Sequence, residues 1–63
     1  MTTKQMIKVV LSAGPAEPKA IVSKIDPEAN ITLSEVADIL LKMLDDGEIA
    51  ITKDKKFKLV NGG

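Results

Sequence analysis

The hydrophobic period of this chain changes at Gly47, and that switch constrains the fold more than any other feature. Before it, apolar residues recur at helical spacing; after it, Ile49 and Ile51, then Phe57 and Leu59, recur every second residue. Any fold must therefore place helices first and a short strand pair last. With 63 residues, 44% of them hydrophobic, the chain can build one small core and no second domain. The whole of it, residues 1–63, is read as a single domain.

Helix 1 is expected over about residues 3–13, with Met6, Val9, Val10 and Ala13 on the inward face and Lys4, Lys8 and Ser12 opposite. Thr2 or Thr3 can cap its start, and Gly14-Pro15 ends it. A shorter helix 2 is expected over about residues 17–25. Pro18 suits the first turn, Glu17 favours the positive helix start, and Ile21, Val22 and Ile25 form the apolar side. The stretch 26–30, which contains Pro27 and Asn30, is turn-forming.

Helix 3 has the clearest start. Thr32 followed by Glu35 has capping-box spacing, Ile31 and Val36 fit a hydrophobic staple, and the helix should run from Leu33 to Asp45. Val36, Ile39, Leu40, Met43 and Leu44 are expected inward, and Asp46-Gly47 stops the helix. Residues 48–60 read as a β-hairpin turning through Lys53-Asp54-Lys55-Lys56, and residues 61–63 as a tail.

The missing residue types restrict chemistry. The chain has no Cys or His, and Tyr, Trp and Arg are also absent, so the usual general base, the best nucleophile and the ligands of structural zinc sites are lacking. Ser12, Ser23 and Ser34 have no His with which to form a catalytic pair. Asp45-Asp46-Gly47-Glu48 is acidic but lacks the alternating oxygen ligands of a calcium loop. We therefore expect no enzyme, cofactor, metal or small-molecule substrate. No apolar run approaches the roughly 20 residues of a membrane span, and the first residues lack a charged segment followed by an apolar stretch, so a cytoplasmic protein is expected.

Three helices and a two-stranded ribbon, an α+β arrangement, resemble the winged-helix variant of the helix-turn-helix fold. The resemblance covers residues 3–60. It is carried by Thr32-Leu33-Ser34-Glu35-Val36, then Leu40, Met43, Gly47 and Ile49, with Met43 standing where that family usually has Leu. Gly14-Pro15-Ala16, leading to Ala20 and Ile21, is similar to the family's approach to helix 2. The resemblance implies a double-stranded DNA-binding module, a transcription regulator in which helix 3 lies in the major groove and the hairpin touches the backbone or minor groove. On this chain the implied contacts are Ser34 and Lys42 on helix 3 and Lys53, Lys55 and Lys56 on the wing.

The residues keep a second reading open. Net charge is zero, but residues 1–24 sum to +3, residues 25–50 to −6 and residues 51–63 to +3. Counted at 100° per residue, the polar arc of helix 3 holds Ser34, Asp45, Asp38, Lys42 and Glu35, with Ala37 and Leu41 on its border. The apolar arc, from Ile39 through Val36 to Leu41, spans about 200° on the same count, wider than one core-facing stripe needs. Ala37, Asp38, Leu41 and Asp45 are thus candidate contacts for a protein partner or a second copy of the chain. The wing lysines, in turn, also suit an exposed strand edge that resists pairing with other strands.

Overall fold

The computed structural model describes residues 2–25, 28 and 30–60. In chain order it contains α1 (Thr3–Ser12), α2 (Pro18–Lys24), α3 (Leu33–Asp45), β1 (Ile49–Ile51) and β2 (Phe57–Leu59). The helices precede a two-stranded antiparallel ribbon, the α+β layout of a winged helix with a C-terminal hairpin. Of the turn expected at 26–30, Asp26, Pro27 and Ala29 lie outside the described residues, as does the tail 61–63. Asn30 is described, and its φ of 53° is the left-handed geometry that Asn tolerates.

α1 begins with a reciprocal cap. Thr2 Oγ1 accepts the Gln5 backbone N–H at 3.1 Å, and Gln5 Oε1 accepts the Thr2 N–H at 2.9 Å, satisfying two otherwise orphaned donors. The inward face differs from the expected one. Ile7 and Leu11 are buried and Met6 and Val10 pack at the edge, whereas Val9 is 57% exposed and Ala13 lies at the surface. Apolar residues at 6, 7, 9, 10, 11 and 13 support two overlapping helical registers. The register that buries Ile and Leu removes more apolar surface from water than the one that buries Val and Ala.

Gly14, at φ +144°, carries the chain out of α1, and Ala16 forms an isolated antiparallel bridge to Phe57 that no local sequence pattern signals. Its N–H and C=O exchange 2.9 Å hydrogen bonds with the C=O and N–H of Phe57, along the edge of β2 away from β1. α2 then starts at Pro18; Glu17 is its N-cap and makes no side-chain capping bond. Ile21 and Ile25 are buried, and Val22 packs beside them.

α3 has the expected bounds, with one difference at its start. Thr32 Oγ1 accepts the Glu35 N–H at 3.2 Å, but the Glu35 carboxylate meets the Thr32 hydroxyl at 3.5 Å and leaves the Thr32 N–H alone, so only half the capping box forms. The helix ends in a Schellman motif. The Gly47 N–H bonds the Leu44 carbonyl and the Glu48 N–H the Met43 carbonyl, with Gly47 at φ +79°. Val36, Leu40 and Met43 join Ile7, Leu11, Ile21, Ile25, Ala16 and Ile49 in the core, and Ile31, Ile39 and Leu44 pack around it.

The ribbon pairs Ile49 with Leu59, Ala50 with Lys58 and Ile51 with Phe57. Ile49 and Ile51 point to the same side, but only Ile49 reaches the core; Ile51 is 54% exposed. Among the described residues no polar or charged side chain is buried. Any chemistry of recognition therefore belongs to the surface.

Candidate nucleic-acid interface

The wing turn is built around Thr52. Its N–H bonds the Lys56 carbonyl at 2.7 Å, its carbonyl accepts the Lys55 N–H at 3.0 Å, and its hydroxyl accepts the Lys56 N–H at 3.1 Å. Lys53, Asp54 and Lys55 form the loop, with Lys55 in the left-handed region at φ +62°. A three-residue loop ending in a left-handed residue suits the twist of a hairpin, although Gly is the residue that adopts it without strain. This geometry pushes Lys53 and Lys55 into solvent, leaves Lys56 half-buried, and presents Lys58 on the exposed side of β2.

The wing tip faces the starts of two helices across an open groove of about 380 Å³, lined by Glu17, Pro18, Lys19, Leu33 and Lys55. Leu33 is 42% exposed and gives the groove an apolar wall. Sequence spacing alone places Lys19 on the general surface of helix 2. The fold sets it opposite Lys55, because Pro18 starts α2 beside the first turn of α3. The local signal was present, a Lys directly after a Pro at a helix start, but nothing nearby in sequence connects positions 19 and 55.

On α3, Ser34 lies exposed in the first turn next to Leu33, and Lys42 is exposed two turns further on. Eight residues of helix separate them by about 12 Å, and Asp38 stands between them in the same i, i+4, i+8 row. Leu41 is 62% exposed on the outer side of the helix, flanked at i−3 by Asp38 and at i+4 by Asp45, both exposed; Ala37 is half-buried at the border. The two sets of candidate residues therefore overlap on α3, where Asp38 stands between Ser34 and Lys42, and only the cations of the wing and groove lie apart from that acidic and apolar face. Among the described residues neither Asp38 nor Asp45 has an ion-pair partner.

Two other lysines are engaged elsewhere. Lys4 and Lys8 of α1 reach Glu48 Oε2 and Oε1 at 2.5 and 2.9 Å. Hydrogen bonds from Lys4 and then Lys8 hold the Glu48 carboxyl below its usual range. Glu48 therefore turns toward α1, while Asp45 and Asp46 face solvent. Among the described residues no group of three or more acidic side chains converges as a metal site would require, and no helix is long and apolar enough to cross a membrane.

No family model matches the chain, and neither a curated protein nor a solved structure similar to it is found.

Proposed function

We propose that this chain is a small winged-helix DNA-binding protein, acting as a regulator in the cytoplasm, and that it holds duplex DNA chiefly through its phosphates. The observation that carries the reading is the approach of Lys55 on the wing to Lys19 on α2 across one groove beside the first turn of α3. Three elements then offer cations and a hydroxyl to a single surface. Lys53 and Lys56 extend it along the wing, Ser34 beside Leu33 can donate to a phosphate, and Lys42 adds a cation about 12 Å farther along α3.

The charge of α3 shapes this proposal. With Asp38 between Ser34 and Lys42, and no Arg in the chain, α3 has little with which to read guanine, so binding depends weakly on base sequence. The test is duplex binding by the Lys19→Glu and Lys55→Glu variants. Each reversal should weaken affinity on duplexes of any sequence and flatten the salt dependence by about one phosphate contact or more. Unchanged affinity in both variants would refute the groove.

A second reading rests on Leu41. A Leu 62% exposed on the outer side of a helix, between two aspartates that have no ion pair among the described residues, suits a protein contact better than a phosphate contact. On this reading Ala37, Asp38, Leu41 and Asp45 form a protein interface, and Leu41→Lys removes an association without unfolding the domain.

A further inference from the structure

We propose that the outer face of α3 is the docking site for the Lys-rich wing of a second copy of this chain. The inference rests on reading the Leu41 face as a protein interface, and it adds the identity of the occupant.

The argument is one of complementarity. The α3 face presents one large apolar side chain, Leu41, between the carboxylates of Asp38 and Asp45. The wing presents one large apolar side chain, Ile51 at 54% exposure, at the end of β1 beside the turn that carries Lys53 and Lys55. Apolar group meets apolar group, and the surrounding charges are opposite on balance, Asp38 and Asp45 outnumbering Lys42 on α3 while Lys53 and Lys55 outnumber Asp54 on the wing. The chain has zero net charge, so two copies approach without overall repulsion.

The other self-contact, α3 against α3 with Leu41 stacked on its counterpart, is disfavoured by geometry. In an antiparallel pair centred on Leu41, Asp38 at i−3 falls beside the other copy's Asp45 at i+4; in a parallel pair, Asp38 falls beside Asp38. Either arrangement sets like charges together at the centre of the contact. The wing offers the opposite sign.

The fold also lets the contact close. Lys55 at the wing tip and Leu33 at the start of α3 border the same groove, so the wing stands beside the first turn of the helix that carries the other surface. Two copies related by a two-fold axis can then exchange wings for α3 faces reciprocally, which gives a dimer and leaves no unpaired end.

The test uses the purified chain without DNA, by sedimentation over roughly 10 μM to 1 mM protein at low salt, a range suited to a weak interface. The expected species is a dimer. The pair of reversals Asp38→Lys with Asp45→Lys, and separately Lys53→Glu with Lys55→Glu, should each weaken dimerisation by about tenfold or more. A 1:1 mixture of the two variants should restore it, which also shows that both are folded; Lys53→Glu alone, which spares the strained position 55, should weaken it in the same direction. A monomer at every concentration, or a dimer indifferent to both reversals, would overturn the proposal. In that case a labelled amphipathic Lys/Leu peptide separates the two claims: amide shifts at Asp38, Leu41 and Asp45 would keep the face as an interface for another basic partner, and no shifts would remove the interface reading as well.

Discussion

Lys8 Nζ lies 2.9 Å from Glu48 Oε1, so the second turn of α1 is tied to the residue that leads from the α3 stop into the wing. Lys4, one turn earlier, grips the other oxygen of the same carboxylate. The Schellman motif explains the placement. Its second position after the helix commonly carries an apolar residue that folds back on the helix end, and here it is Glu48, whose backbone N–H bonds Met43 while its side chain crosses to α1.

This pair predicts a pH-dependent stability. The folded-state pKa of Glu48 is depressed, so its contribution is present above the unfolded value for Glu and is lost as pH falls through the lower folded value. Glu48→Gln should therefore melt at a lower temperature than the parent near neutral pH, with the gap closing in acid and shrinking in high salt. Paired thermal melts at neutral and acidic pH check this; a gap independent of pH would assign the effect to packing.

The α1 register predicts a sharp asymmetry between adjacent apolar positions. Ile7→Ala should cost about 2–5 kcal/mol, a large share of the stability of so small a domain, whereas Val9→Ala should change it by less than about 0.5 kcal/mol. Urea unfolding of both variants measures the difference. Comparable losses would mean that α1 presents the other face.

The wing turn predicts a stabilising substitution. Lys55 sits at φ +62°, where an L-residue other than Gly carries strain, so Lys55→Gly should raise stability by about 1 kcal/mol, or roughly 4–8 °C in melting temperature. The same change removes a groove cation, so stability should rise as duplex affinity falls. A variant that gained neither stability nor lost affinity would contradict both the turn and the groove.

How much of this was legible in the sequence depends on the range of the interactions involved. The start of α3 at Thr32, its stop at Gly47 and the hairpin after it are encoded by residues within a few positions of one another, and those expectations match the fold. The face of α1 was not legible, because two registers compete locally and the choice between them depends on α2, α3 and β2. The Ala16–Phe57 pairing and the meeting of Lys19 with Lys55 join residues far apart in sequence, and they exist only once the chain has closed. Leu41 occupies a middle case. Its place at the border of the apolar arc, and hence its partial exposure, was readable, whereas the lack of an ion pair to Asp38 or Asp45 among the described residues required the packed helix.

The central claim is that the lysines around the groove and wing neutralise phosphates. Fluorescence anisotropy of a labelled random-sequence duplex, titrated with the protein at a series of salt concentrations, tests it directly. If Lys19, Lys42, Lys53, Lys55 and Lys56 engage the backbone, the slope of log affinity against log salt should be about −4.5, a loss of roughly 500-fold between 50 and 200 mM salt. Absence of binding at the lowest salt would contradict the account, and would mean that the carboxylates of α3 outweigh the cations of the wing.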